Sequence, residues 1–233
     1  LFAPSKVDTR DATVPGGWTN TTFIPYDYGW FAFVYDKTRL QNPPKSLKEL
    51  VESDRPLKVI YEDPRTSTPG LGLLLWMQKV YGDKSPEAWQ QLAKKTVTVT
   101  KGWSEAYGLF LKGESDMVLS YTTSPAYHLI EEKKDQYAAA NFSEGHYLQV
   151  EVAGQLKASK QPELAHTFMQ FVMTQPFQKT IATGNWMYPA TRTALPEGFN
   201  TLTVPATSLQ FSPQDVATQR SQWISAWQRA VSR

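Results

Sequence analysis

Two hydroxyl-rich turns are the segments of this sequence whose residue types best suit ligand chemistry. The first, residues 65–72, places Ser67 and Thr68 at the start of a predicted helix. The second, residues 120–125, lies between a predicted strand and the next helix. Its candidate side chains are Tyr121, Thr122, Thr123 and Ser124. Hydroxyls beside the N–H groups of a helix start attract anions, so both turns are predicted seats for a phosphate.

A simpler interpretation remains open for each turn, because Ser and Thr cap helices in most proteins. Two such turns on neighbouring strands of one sheet make a ligand site more plausible than either alone. Neither turn carries the Gly-Lys-Ser/Thr of a P-loop, and Lys79 lies too far along its helix to replace that lysine. The pattern therefore argues against nucleotide hydrolysis.

Large aromatic residues occur close to these turns in the sequence. Trp103 follows a predicted strand, Tyr127 follows the second hydroxyl turn, and Trp186 lies in the turn 183–189. Flat aromatic faces stack on planar rings and attract cations. Each residue could equally pack beneath its own loop, and the sequence leaves both interpretations open.

The sequence gives little support for catalysis or metal binding. The three histidines, His128, His146 and His166, have no metal-like spacing, and the chain contains no cysteine. A Gly-x-Ser-x-Gly nucleophile motif is also absent from the sequence. We therefore expect a binding protein that has no metal, no cofactor and no catalytic residue.

The elements that position these residues alternate between strand and helix. Apolar or β-branched runs predict strands at 30–35, 58–61, 96–100, 116–120 and 147–153. Helical spacing and caps predict helices at 69–81, 104–111, 125–134, 162–173 and 213–231, with others starting after the N-caps Ser46 and Ser85 and at 176. This alternation predicts an α/β fold with a mostly parallel sheet covered by helices.

Charge and hydropathy exclude several other classes of protein. The 24 Lys and Arg residues nearly balance 22 Asp and Glu residues, so a nucleic-acid partner is not expected. No run of about 18 apolar residues is present, so direct membrane insertion is not expected either. Aromatic residues make up 13% of the chain, an excess that can fill a core and can also line a binding site.

Four segments carry a resemblance to a known family. They are DPRTSTPGLG (63–72), KGWSEAY (101–107), SYTTSPAY (120–127) and GNWMYP (184–189). Together they resemble the periplasmic thiamine-binding proteins of bacterial ABC importers, over the whole chain. The segment 157–178 is also similar to the broader group of iron- and polyamine-type solute-binding proteins.

The resemblance implies a two-lobed periplasmic receptor of the type II binding-protein fold. Such a receptor binds thiamine, thiamine monophosphate and thiamine diphosphate, delivers them to an inner-membrane permease, and is a monomer. The hydroxyl residues would contact the ligand and its phosphate, and the aromatic residues would surround the thiamine rings. They are Ser67, Thr68, Trp103, Tyr121, Thr122, Thr123, Ser124, Tyr127 and Trp186.

The family pattern also includes an N-terminal part of the first lobe that this sequence lacks. We therefore expect residues 1–30 to be a remnant of lobe one leading into the hinge, and 31–150 to form lobe two. Residues 151–233 would supply a return strand and helices that pack across both lobes. Two alternatives stay open: a receptor for another cargo, such as a polyamine or ferric ion, and an enzyme that processes thiamine phosphates.

Overall fold

The computed structural model describes residues 1–232, which divide into two units. Unit 1 comprises Leu1–Gly29 and Gln149–Thr201, and unit 2 comprises Trp30–Leu148 and Leu202–Arg233, of which the last residue is not described. Strands β1 and β6 each continue from one unit into the other. The assignment of segments 1–30, 31–150 and 151–233 to particular lobes stays a prediction.

The described residues form eight strands, eight α-helices and two short 3-10 helices. The strands are β1 (Phe23–Asp36), β2 (Val59–Glu62), β3 (Thr96–Thr100), β4 (Met117–Tyr121), β5 (Tyr137–Ala139), β6 (His146–Gly154), β7 (Tyr188–Pro189) and β8 (Ser208–Leu209). The helices are α1 (Leu47–Glu52), α2 (Thr68–Tyr81), α3 (Ser85–Ala93), α4 (Trp103–Leu111), α5 (Ser124–Glu131), α6 (Pro162–Val172), α7 (Gln175–Gly184) and α8 (Pro213–Val231). The 3-10 helices are Gly82–Lys84 and Glu197–Thr201.

The α/β class is confirmed, but the sheet is mixed rather than mostly parallel. In unit 2 the strand order is β3-β2-β4-β1-β6-β8. β2 runs parallel to both β3 and β4, as helical crossovers require. β1 runs antiparallel to β4 and β5. Because β2 and β3 intervene in the chain, no single strand-helix-strand crossover connects β1 to either of them, and the parallel rule does not apply.

Alternation along the strands of unit 2 divides its core into two layers. Val59 and Tyr61 of β2 face one layer, which also contains side chains of α1, α2, α3 and α8. Ile60, between them, faces the other layer with Ala106 and Phe110 of α4. Helices thus cover both faces of the sheet. A short turn connects the carboxyl end of β2 to the start of α2, and another connects the carboxyl end of β4 to the start of α5.

Unit 1 is built around the first half of β1. Asp27 and Tyr28 pair with Pro189 and Tyr188 of β7 in an antiparallel register. Ile24 of β1 is fully buried with Met169 and Val172 of α6. The α7 helix and β7 are joined by the short turn that contains Trp186, so β1 fixes the far end of this turn.

Candidate functional site

The start of α2 places Ser67 where its hydroxyl does not cap the helix. The residue has an extended backbone with φ −135° and ψ 137°, which is suitable for a cap, but its side chain accepts no cap hydrogen bond. Its backbone N–H donates to the carbonyl of Asp63 at 3.0 Å, which closes the preceding turn. Thr68 is exposed in the first turn of the helix. Two hydroxyls therefore stand at the positive end of a 14-residue helix.

The same turn is attached to the start of α4. The Thr66 hydroxyl donates to the Lys101 carbonyl at 2.6 Å. Arg65 forms a two-pronged ion pair with Asp63, with 2.9 Å between Nε and Oδ1 and 2.5 Å between Nη2 and Oδ2. This pairing lowers the pKa of the Asp63 carboxyl below its ordinary value. Since the guanidinium is paired locally, the hydroxyls and N–H groups are the better candidates for anion contact.

Trp103, the first residue of α4, presents an indole in a fixed orientation. Its Nε1 donates to the Ser120 hydroxyl at 2.8 Å. Its ring stacks on Tyr107 with 5.1 Å between centroids and 27° between planes. Even so, 40% of the residue is exposed. A large aromatic residue held by a hydrogen bond and a stacking partner, yet open to solvent, suits recognition of a planar ligand.

The turn between β4 and α5 continues this hydrogen-bond chain. The hydroxyls of Ser120 and Ser124 are 2.6 Å apart, and the backbone N–H of Tyr121 donates to the Ser124 hydroxyl at 3.2 Å. The Tyr121 ring lies 5.2 Å from that of Phe31. Trp103 and the second hydroxyl turn are therefore directly connected, which brings two of the predicted motifs together.

Two other residues of this turn, Thr122 and Thr123, are fully buried. The backbone N–H of Thr122 donates to the Trp30 carbonyl at 2.9 Å, which attaches the turn to β1. Their predicted ligand contacts stay predictions. In the described structure these threonines fill the interior under the turn, whereas Tyr121 and Ser124 are partly accessible.

Tyr127 lies on α5 with 41% of the residue exposed. Its ring packs edge-on against His128, with 5.4 Å between centroids. His128 in turn contacts the Tyr107 hydroxyl at 2.9 Å and Glu132 at 2.7 Å. A single aromatic chain thus connects Trp103 through Tyr107 and His128 to Tyr127.

A buried acid that the sequence pattern does not single out lies at the carboxyl end of β2. Glu62 is completely buried, and among the described residues its carboxylate oxygens have no hydrogen-bond partner outside Glu62 itself. Burial raises the pKa of Glu62 to about 9, so its carboxyl is neutral at pH 7. The residue lies on the same face of β2 as Ile60, the face covered by α4. Its signal in the sequence is an acid, followed directly by Asp63, at the end of the apolar run 59–61.

Trp186 is the one predicted site residue in unit 1. It is half-buried and has a left-handed backbone, with φ 56°, an unusual conformation for a residue other than glycine. It follows Asn185, the C-cap of α7. The other eight predicted site residues all belong to unit 2.

His128 and His146 both form hydrogen bonds with other groups of the protein. His146 is completely buried, accepts a hydrogen bond from the Phe142 N–H at 2.9 Å and contacts the Phe31 carbonyl at 2.7 Å. Burial lowers the pKa of His146 to about 4, so its ring is neutral at pH 7. No group of three or more His, Cys, Asp or Glu residues within 1–232 is arranged to hold a metal ion. None of the helices described is long and apolar enough to cross a membrane.

Comparison with known proteins identifies the class to which this fold and site belong. Residues 2–179 match the family model of the bacterial extracellular solute-binding proteins. Because that match covers most of the chain, the chain belongs to this family, and the predicted binding-protein fold is confirmed.

Individual relatives narrow the comparison. A thiamine-binding periplasmic protein of Escherichia coli is 73% identical over 233 residues, which are 100% of this chain and 71% of the relative. A protein of the same name from Brucella suis is 53% identical, over 100% of this chain and 70% of its own length. A solved structure described as a periplasmic thiamin binding protein superimposes with a TM-score of 0.98 at 73% identity, covering 100% of this chain and 73% of that one.

Proposed function

We propose that this chain binds thiamine and its phosphates as the periplasmic substrate-binding component of an ABC importer. The observation that carries the proposal is the fixed Trp103 indole, bonded to the hydroxyl chain of Ser120 and Ser124 and 40% exposed. It combines an aromatic face with hydroxyls at helix starts. Relatives with 73% and 53% identity that are named for thiamine support the same ligand.

The chemistry of thiamine matches this combination. Its thiazolium ring carries a permanent positive charge, and a cation over an indole face gains about 0.5–2 kcal/mol. The pyrimidine ring offers a second planar surface for stacking. A phosphate ester on the other end is an anion that the starts of α2 and α5 can receive, with Ser67 and Ser124 as hydroxyl contacts. Tyr127 would supply further aromatic surface, and a ligand contact by Trp186 stays a prediction from the family resemblance.

The proposal describes a receptor rather than an enzyme. A thiamine-cleaving transferase needs an activated nucleophile, and the chain has no cysteine. The proposed partner is an inner-membrane permease, and the proposed oligomeric state is a monomer. A polyamine or ferric ion as cargo is not favoured, since the similarity to thiamine-binding relatives covers the whole chain.

Replacement of Trp103 tests the proposal most directly. Trp103→Ala should weaken thiamine binding about tenfold or more, because it removes both the stacking face and the cation–π attraction. Isothermal titration calorimetry gives the dissociation constant, and quenching of tryptophan fluorescence gives an independent value.

A matched control is available on α6, where Phe168 is 55% exposed. Phe168→Ala removes an exposed aromatic side chain of unit 1 that no site prediction includes, so thiamine affinity should stay within twofold of the parent chain. The proposal is wrong if saturating thiamine produces neither heat nor quenching with the parent chain. Conversion of thiamine phosphate by the parent chain, followed by mass spectrometry, would favour the enzyme alternative.

A further inference from the structure

Three polar side chains of unit 1 form a network directly beside Trp186. The Asn185 amide nitrogen donates to Asp27 Oδ2 at 2.8 Å and to Glu151 Oε2 at 3.0 Å. The Gln149 amide donates to the other Glu151 oxygen at 3.0 Å. We call Asp27, Glu151 and the Asn185 amide the carboxyl clamp. They come from β1, β6 and the end of α7, so the clamp joins three separate elements.

The clamp holds one end of a strained turn, and β1 holds the other. Asn185 is the C-cap of α7, and the residue after it, Trp186, has φ 56°. Two residues further on, Tyr188 pairs with Tyr28 of β1, and their rings stack at 5.5 Å. A bulky residue adopts a left-handed backbone only where its surroundings impose it. The two attachments on either side of Trp186 supply that constraint.

The two acids can approach each other because one of them is protonated. Asp27 is completely buried, its Oδ2 accepts from Asn185, and its Oδ1 has no hydrogen-bond partner among the described residues. Burial first, and the charge of Glu151 second, raise the pKa of Asp27 to about 8. Tyr26 also bonds to Glu151, and burial together with the two acids raises the pKa of its phenol above the ordinary range. Asp27 is therefore predominantly protonated at neutral pH, and the Asn185 amide bridges it to Glu151.

We propose that the carboxyl clamp positions Trp186, fixing the direction of its indole before any ligand arrives. One part of this inference rests on the proposed function: the expectation that a Trp186 oriented in advance strengthens thiamine binding. The positioning itself is a property of the unliganded chain. Asp27, Glu151 and Asn185 are then positioning residues that touch no ligand themselves.

The first test removes the amide. Asn185 is exposed, so Asn185→Ala should leave the fold intact. The Trp186 signal is obtained as the fluorescence and near-ultraviolet circular dichroism of each chain minus those of its Trp186→Phe counterpart, without ligand. We expect Asn185→Ala to change this difference signal and to weaken thiamine binding about tenfold, the effect of losing a hydrogen bond to a charged group. An unchanged difference signal overturns the proposal.

The second test uses Asp27 with a conservative rescue. In Asp27→Asn the new side chain still accepts from Asn185 and can donate to Glu151, so the Trp186 signal and thiamine affinity should be retained. Asp27→Ala loses both interactions and should reproduce the effect of Asn185→Ala. The pH profile adds a readout, because Asp27→Asn should abolish any change of the Trp186 signal between pH 6 and 10. Equal disturbance by Asp27→Asn and Asp27→Ala contradicts the assignment.

A double-variant comparison separates this proposal from the proposed function. In a Trp186→Ala background, Asn185→Ala should weaken thiamine binding no further, since the residue that it positions is gone. A further tenfold loss in that background overturns the proposal. If Trp186→Ala alone leaves thiamine affinity unchanged while Asn185→Ala still changes the Trp186 signal, the positioning role stands and the ligand role of Trp186 falls.

Discussion

Ser46 and Ser67 occupy equivalent positions before helices but use their hydroxyls differently. The Ser46 hydroxyl accepts a hydrogen bond from the Glu49 N–H at 2.8 Å and so caps α1. Ser67 has a similar extended backbone before α2, yet its hydroxyl makes no cap bond. A cap hydrogen bond stabilises a helix start by about 1 kcal/mol. Ser67 forgoes this stabilisation, and its hydroxyl is therefore available to bind a ligand.

This difference predicts that serine-to-alanine substitution lowers phosphate affinity at position 67 and fold stability at position 46. Ser67→Ala should weaken binding of thiamine monophosphate about tenfold but change thiamine affinity less than twofold, because only the phosphate offers a charged acceptor. Ser46→Ala should lower the free energy of unfolding by about 1 kcal/mol and leave both affinities unchanged. Calorimetric titration with each ligand and urea unfolding provide the measurements. Equal losses of both ligands in Ser67→Ala would exclude Ser67 as a phosphate contact.

At the level of single residues, the sequence identified positions but not their partners. The sequence indicates both Trp103 and the second hydroxyl turn, but the 2.8 Å bond between Trp103 and Ser120 depends on how α4 packs over β4. The carboxyl clamp is even harder to predict, since Asp27 and Asn185 are 158 positions apart in the sequence. Local spacing carries no information about contacts that only tertiary packing creates.

Among the elements, most helices with local signals match the predicted bounds within a residue or two, but α5 ends at Glu131, three residues before the predicted end at 134. Ser46 caps α1 as expected, the strand 96–100 and the helix 213–231 have the predicted bounds, and α3 includes Ser85 rather than starting after it. The short strands β5, β7 and β8 were not predicted, because segments of two or three residues become strands only through their neighbours. The antiparallel direction of β1 was missed for the same reason.

Two helical glycines distinguish close packing from mere tolerance. A Cβ on Gly72 of α2 would lie 2.1 Å from the Phe31 ring, whereas a Cβ on Gly108 of α4 would meet nothing within 4 Å. Phe31 is buried in the core of unit 2, so its ring cannot simply move into solvent. The glycine at 72 is therefore what lets α2 approach β1, next to the first hydroxyl turn.

The corresponding alanine substitutions should change stability in opposite directions. Gly72→Ala should reduce the free energy of unfolding by about 1–3 kcal/mol, because the added methyl overpacks the core. Gly108→Ala should increase it by about 0.5–1 kcal/mol, the ordinary gain in helix propensity. Urea unfolding followed by circular dichroism measures both. Stabilisation by Gly72→Ala would show that the contact between α2 and Phe31 is looser than the structure has it.

On the scale of the whole molecule, each unit contains one buried acid that is neutral at pH 7. Asp27 of unit 1 has its pKa raised to about 8 by burial and by Glu151. Glu62 of unit 2 has its pKa raised to about 9 by burial. In the unfolded chain both carboxyls ionise at their ordinary values, 3.8 and 4.5. The folded chain therefore binds more protons than the unfolded chain between these limits, and its stability depends on pH.

The free energy of unfolding should decrease as the pH rises. The stability contributed by the two protonated acids is complete below about pH 4 and is lost as pH rises towards 8 for Asp27 and 9 for Glu62. Each group contributes a slope of about 1.4 kcal/mol per pH unit in its interval.

We expect Glu62→Gln and Asp27→Asn each to flatten the profile of stability against pH and to raise the melting temperature most at pH 8–9. Glu105→Gln changes an exposed acid of α4 and is the matched control. Urea unfolding at unit steps from pH 5 to 9 gives the slopes, and identical slopes for the parent chain and Glu62→Gln would mean that Glu62 is ionised in the folded protein.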